Sequence, residues 1–107
     1  MKLIIAIVQK EDTNDVCKAL NKEHFRVTKL ATQGSFLMTG NTTLLIGDED
    51  EKVPKILEII KEHSKQRKEY IPSVSPTGGQ LMFSAPLEII VGGATVFILD
   101  VAQFEKF

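Results

Sequence analysis

The sequence contains a single cysteine and no surplus of charge of either sign. One cysteine, Cys17, excludes an intrachain disulfide and a cysteine-based zinc site, and its neighbours predict a structural thiol on a helix, in or near the core. Thirteen basic and fourteen acidic residues leave a formal charge of −1. This balance is unlike that of a protein that binds DNA or RNA, but a small anionic ligand needs only one or two well-placed cations.

Long apolar segments are absent as well. The opening run of residues 3–8 is far too short to cross a membrane, and no secretory signal precedes it, so we expect a cytoplasmic protein without membrane association. A length of 107 residues predicts one domain over residues 1–107. Because so short a chain leaves much apolar surface exposed as a monomer, a symmetric oligomer is plausible.

Apolar periodicity predicts the order strand, helix, strand, strand, helix, strand. The predicted strands are 3–8, 25–32, 41–47 and 70–74, with further strand-like segments at 87–91 and 94–99. Asp12 to Asp15 provide caps for a first helix reaching about Glu23, and the second helix has Pro54 in its first turn. The pattern is typical of an α+β, ferredoxin-like βαββαβ fold, an antiparallel sheet with two helices on one face.

Patterns that would indicate catalysis are missing. His24 and His63 do not have metal-ligand spacing, and no nucleophile elbow, dinucleotide fingerprint or P-loop occurs. A set of polar and glycine residues remains: Arg26, Thr28, Gly34, Asn41, Thr42, Gly47, Gly92 and Gly93. An arginine can hold a phosphate and an asparagine can read an adenine edge, but a surface pair for Arg26 and turn chemistry for Asn41 and Gly47 explain them equally well.

Several segments are more specific than these single residues. They are FRVTKLAT at 25–32, GSFL at 34–37, GNTT at 40–43, PTGG at 76–79 and VGGATVF at 91–97, with the opening MKLIIAIVQ and the aromatic tail 104–107. Together they closely resemble the PII-like cyclic-di-AMP receptor family, the DarA and PstA proteins, over essentially the whole chain. The resemblance implies a signal-transduction protein that performs no chemistry, needs no cofactor and forms a homotrimer.

The same resemblance implies three pockets for cyclic di-AMP at the subunit interfaces, bordered by loops at 33–40 and 77–86. Ligand-dependent ordering of these loops would alter contact with a protein partner that the sequence does not identify. The implied ligand-binding residues are Arg26 and Thr28 at phosphate and base, Phe36 and Leu37 over a base, Asn41 at an adenine edge, Gly47 for close approach, and Gly92 from the neighbouring side. His24 stands where family members usually carry asparagine, so it is a candidate for an altered contact.

Three other functions stay open. A PII-type sensor of ATP or ADP would want a denser cationic cradle than Arg26 alone. An acylphosphatase shares the fold and uses an arginine and an asparagine, but residues 9–12 lack the glycine-rich phosphate loop such an enzyme needs after its first strand. A purely structural trimer would be favoured if His24 and Phe36 packed together and filled the pocket.

Overall fold

A computed structural model describes residues 1–30, 40–74 and 83–107, with the backbone alone for 71–74 and 83–86. The strands are β1 (Lys2–Gln9), β2 (Thr28–Leu30), β3 (Asn41–Asp48), β4 (Arg67–Val74), β5 (Phe83–Val91) and β6 (Ala94–Asp100). The helices are α1 (Lys10–Lys22) and α2 (Val53–Ser64), the latter preceded by a 3₁₀ turn at Asp50–Lys52. The chain is thus an α+β structure with an antiparallel sheet and two helices, consistent with a ferredoxin-like fold.

The main sheet has four strands in the order β2-β3-β1-β6, and each neighbouring pair is antiparallel. The central strand β1 sets Ile5 opposite Leu45 on β3 and opposite Phe97 on β6. The fourth strand of this sheet is β6, whereas β4 and β5 pair with each other in a separate ribbon. The predicted six-element pattern is therefore interrupted by a hairpin between α2 and the last strand.

Both helices cover the same face of the sheet. Alternate residues of β1 and β3 meet apolar residues of both helices in one buried cluster. The fully buried members are Ile4, Ala6, Val8, Val16, Leu20, Leu44, Ile46, Ile56 and Ile60. Burying each large aliphatic side chain contributes roughly 1.5–3 kcal/mol, so this cluster is the main source of stability.

The opposite face of the sheet is also apolar. Leu3, Ile5 and Ile7 alternate with the buried residues of β1, and Phe97 and Leu99 lie beside them on β6. Phe97 is 52% exposed and Leu99 is 46% exposed. An antiparallel sheet that faces water on one side normally alternates apolar and polar residues. We call this surface, formed by Leu3, Ile5, Ile7, Leu45, Phe97 and Leu99, the open face.

Helix α1 begins earlier than the sequence predicts. It starts at Lys10, directly after β1, so Asp12 and Thr13 lie inside the first turn instead of before it. Neither residue acts as the cap: the Thr13 hydroxyl donates to the backbone oxygen of Gln9 over 3.0 Å, and the Asp12 carboxylate pairs with Arg67. A tertiary contact therefore replaces the capping role that the local sequence suggested.

The β4–β5 ribbon makes its contacts chiefly within itself. β5 begins at Phe83 instead of the predicted residue 87, and the strand register shifts between Ile71 and Ser73. Pro72 lies in this shift, as expected for a residue that has no N–H to donate to the ladder. The radius of gyration, 18.5 Å, exceeds the ~13 Å of a compact chain of this length. No helix within residues 1–30, 40–74 and 83–107 is both long and apolar enough to span a membrane.

Candidate ligand-binding site

An open groove of about 490 Å³ lies where β1 ends, β3 begins and the chain turns from β5 into β6. Its polar lining consists of side-chain amides and exposed backbone: Gln9, Asn41, Gln66, Gly92, Gly93 and Thr95. No carboxylate or cation lines it among the described residues. A neutral groove rich in amides suits the donor and acceptor edge of a nucleobase better than it suits a phosphate chain.

The strand register and one hydrogen bond fix the floor of this groove. Gln9, the last residue of β1, pairs with Asn41, the first residue of β3. The side-chain oxygen Oε1 of Gln9 accepts the backbone N–H of Gly92 over 2.8 Å. Sequence reasoning missed Gln9 and Gln66, because neither belongs to a motif; the pairing of Gln9 with Asn41 emerges only once the register is known.

The glycine pair of Gly92 and Gly93 forms a tight bend between β5 and β6. Gly92 and Gly93 have φ angles of +80° and +93°, which favour glycine. A Cβ atom on Gly92 would lie 2.6 Å from the backbone oxygen of Lys65 and 2.7 Å from Nη1 of Arg67. Gly92 therefore permits the close approach of other parts of its own chain. This explains why glycine is favoured at the position whether or not a ligand binds there.

An ion pair lies directly behind this bend. The guanidinium of Arg67 donates to both carboxylate oxygens of Asp12, over 2.9 and 3.3 Å, and this partner raises the pKa of Arg67. Asp12 is only 4% exposed, whereas Arg67 lies at the rim. The pair joins the first turn of α1 to the base of the β4–β5 ribbon.

A second group of predicted site residues lies at the far end of β3. Thr28, the first residue of β2, pairs with Leu45 on β3; Arg26 precedes Thr28 by two residues, and Gly47 follows Leu45 by two. All three predicted residues, Arg26, Thr28 and Gly47, are exposed. Among the described residues, a Cβ atom on Gly47 would meet nothing within 4 Å, so this part of the chain gives no reason for glycine there. Unlike Gly92, Gly47 therefore has open space beside it for an atom of another molecule.

The two groups do not meet within one chain. Asn41 and Gly47 project from the same side of β3 but stand six residues apart, which corresponds to ~20 Å along a strand. Asn41 and Gly92 lie together at the groove, and Arg26, Thr28 and Gly47 lie together at the other end. Phe36 and Leu37 lie outside the described residues, as do residues 33–39 of the first loop and 77–82 of the second.

His24 has a local structural role. It follows α1 with a φ of 66°, the only positive φ of a described residue other than glycine. Its N–H donates to the oxygen of Asn21 over 2.9 Å, and the N–H of Phe25 donates to Leu20 over 3.0 Å, which is the Schellman pattern of helix ends. Phe25 and Leu20 are buried together, as that motif requires. Glycine and asparagine prefer this conformation, which explains why asparagine suits the position.

Other chemistry finds little support in the described ranges. No group of three potential metal-ligating side chains occurs there. Because α1 follows β1 with no intervening residue, the fold leaves no phosphate-binding loop of the kind an acylphosphatase needs at that point. Burial raises the pKa of Cys17, which packs against the core as predicted.

Fold and groove together describe a small α+β protein with an open, amide-lined groove at one end of its sheet. The sequence profile described as "Cyclic-di-AMP receptor" matches residues 1–107, the whole chain. The chain belongs to the cyclic-di-AMP receptor family, and the resemblance seen in the sequence is confirmed. A solved structure, described as that of a functionally unknown protein from Pediococcus pentosaceus, is also similar. It shares 46% identity with a TM-score of 0.77, over 99% of this chain and 96% of that chain.

Proposed function

We propose that this protein is a cytosolic PII-like receptor, a single domain over residues 1–107, that binds cyclic di-AMP between the subunits of a homotrimer. Binding orders the loops at 33–40 and 77–86 and thereby changes the affinity for a protein partner. The protein performs no reaction on the nucleotide. The observation on which this rests is the division of the predicted ligand residues between two distant ends of the same sheet face.

This division supports a pocket made from two copies of the chain. The amide groove carries Asn41 and Gly92, while the group around Gly47 carries the cation Arg26. A cyclic assembly sets one surface of each copy against a different surface of the next, so the two ends meet at every interface. The number of subunits, three, follows from the family resemblance.

The open face supplies a reason for such an assembly. Its apolar residues lie on the side of the sheet that the helices do not cover, and Phe97 and Leu99 leave about half of their surface in water. Burying apolar surface gains roughly 25 cal/mol per Å², so association through this face stabilises each subunit. The β4–β5 ribbon gives a second reason, since a two-stranded ribbon is marginal by itself in water.

The chemistry of the two ends fits a cyclic dinucleotide of adenine. Side-chain amides offer a donor and an acceptor together, as an adenine edge requires, and Arg26 offers a planar fork of donors to a phosphate. A triphosphate would need several cations at one place. Cyclic di-AMP holds its two phosphates apart, so the single Arg26 of each pocket can contact one of them without a cluster of cations.

Isothermal titration calorimetry of the purified protein with cyclic di-AMP tests the proposal, with ATP, ADP and cyclic di-GMP as comparators. We expect selective binding of cyclic di-AMP near one ligand per chain, lost in Arg26→Ala and Asn41→Ala. Lys29→Ala is the matched control, because Lys29 is an exposed cation of β2 whose side chain lies on the other side of the strand from its neighbour Thr28. Preference for ATP, or no binding of cyclic di-AMP by a folded protein, would contradict the proposal.

A further inference from the structure

Contacts from three distant segments converge on residues 9–12. The Gln9 side chain accepts a hydrogen bond from the N–H of Gly92. The N–H of Lys10 donates to the backbone oxygen of Gly40, and the Asp12 carboxylate accepts from the guanidinium of Arg67. Gly40 adjoins the segment 31–39, and Arg67 begins the ribbon whose other strand leads to Gly92. The junction of β1 and α1 therefore holds three points of the chain in place: Gly40 directly before β3, Arg67 at the base of the ribbon, and the glycine bend at Gly92.

The Asp12–Arg67 pair is the charged member of these attachments. It joins residues 55 positions apart by two hydrogen bonds, from Nη1 and Nη2 to the two carboxylate oxygens, with the carboxylate almost wholly buried. A planar guanidinium matches a carboxylate in this two-bond geometry, which lysine cannot reproduce. Removal of one partner leaves an uncompensated charge, so the pair resists separation.

The guanidinium also packs against the glycine bend. Nη1 of Arg67 would lie 2.7 Å from a Cβ atom on Gly92, so this group occupies the side of Gly92 that faces away from the groove. Gln9 Oε1 holds Gly92 by its N–H. Gly92 thus donates a hydrogen bond to Gln9 and packs against Arg67, and the ion pair with Asp12 fixes the position of Arg67.

We propose that Asp12 and Arg67 are positioning residues for the ligand site: they touch no ligand but fix the glycine bend in the place where the ligand meets it. This inference rests on the proposed function for its effect on affinity. It assigns a role to two residues that lie behind the groove and do not line it. An exposed ion pair of the same ribbon, Lys68–Glu88 at 3.2 Å, has no such connection to the groove.

Two measurements on Asp12→Asn test the inference. Amide hydrogen exchange, followed by NMR without ligand, reports how well the hydrogen bond to Gln9 protects the Gly92 N–H. Calorimetry reports the affinity for cyclic di-AMP. We expect Gly92 exchange to accelerate relative to amides of β1, and the Kd to rise about tenfold. Asp12→Glu should recover part of both losses, because it restores the carboxylate. Lys68→Gln, the matched control, should change neither.

The outcomes separate positioning from general stability. Equal acceleration of exchange at Gly92 and in β1, or unchanged exchange and affinity, would overturn the inference. If Asp12→Asn does not fold, Arg67→Lys serves instead, since it keeps the charge and removes the two-bond fork. Failure of the wild-type protein to bind cyclic di-AMP would overturn the proposed function alone, because the exchange measurement still decides whether the pair fixes Gly92.

Discussion

The backbone N–H of Gly92 donates to the side chain of Gln9, a residue 83 positions earlier in the chain. This bond ties the bend before the last strand to the end of the first strand, and it defines one wall of the amide-lined groove. The position of Gly92 is therefore set by two segments from opposite ends of the sequence. The roles of the site glycines can be tested on that basis.

Gly92→Ala should destabilise the fold, whereas Gly47→Ala should leave it nearly unchanged. At Gly92 the positive φ and the clash with Lys65 together cost about 2–4 kcal/mol in the free energy of unfolding. At Gly47 an added Cβ meets no atom of the residues that the structure describes, so we expect only weaker binding of cyclic di-AMP. Urea denaturation and calorimetry of both variants check this; equal losses of stability would contradict it.

Substitutions at His24 should follow backbone preference. His24→Val places a β-branched residue at a φ of 66°, which we expect to cost about 1–2 kcal/mol in stability. His24→Asn should stay within about 0.5 kcal/mol of the wild type, because asparagine tolerates this conformation. Urea denaturation measures both changes. A large change in cyclic-di-AMP affinity in His24→Asn, at constant stability, would instead indicate a ligand contact.

Phe97→Glu should prevent the proposed trimer from forming without unfolding the subunit. Phe97 lies on β6, the edge strand of the open face, so a charge there must be buried when this face associates, while in the free subunit it points into water. We expect light scattering coupled to size exclusion to report a trimer for the wild type and a monomer for the variant, with unchanged circular dichroism. Lys61→Glu on the exposed side of α2 is the control. A variant that remains trimeric would show that another surface forms the interface.

Thiol labelling of Cys17 should be slow and should rise only at alkaline pH. Burial raises the pKa of this thiol above 9.0, so the reactive thiolate is scarcer in the folded chain than in the unfolded one at the same pH. Because the folded-state pKa is the higher one, the associated stability is present below the unfolded pKa and declines as the pH rises past it. Labelling rates of native and denatured protein across this range check both statements; equal rates would contradict them.

Local sequence patterns were sufficient to predict the elements whose buried residues recur with the period of a strand or of a helix. The run Leu3 to Val8 predicts a central strand, and the spacing of Ile56 and Ile60 predicts the buried side of α2. The predicted start of α1 was wrong. Asp12 is a residue type that often caps helices, but its carboxylate is bound by Arg67, 55 positions away. The interruption by the β4–β5 ribbon was not predicted, since apolar periodicity does not reveal which strands pair.

The candidate site was likewise predicted only in part from the sequence. Arg26, Thr28, Asn41 and Gly47 were singled out from residue chemistry and family resemblance, and their roles toward the ligand stay predictions. Gln9 was not recognised because its importance comes from its register with Asn41 and its bond to Gly92. Long-range pairing, which no short motif encodes, determines which amides share the groove.

The strand order also constrains how the chain is made. Strand β1 is separated from its partner β6 by most of the described fold, with Lys2 and Asp100 98 positions apart. Folds dominated by such distant contacts form slowly, because a long loop must close before the contacts can form. The edge of β1 that pairs with β6 thus stays uncovered until β6 has been made, so newly made chains depend on rapid closure by β6 to avoid pairing with one another.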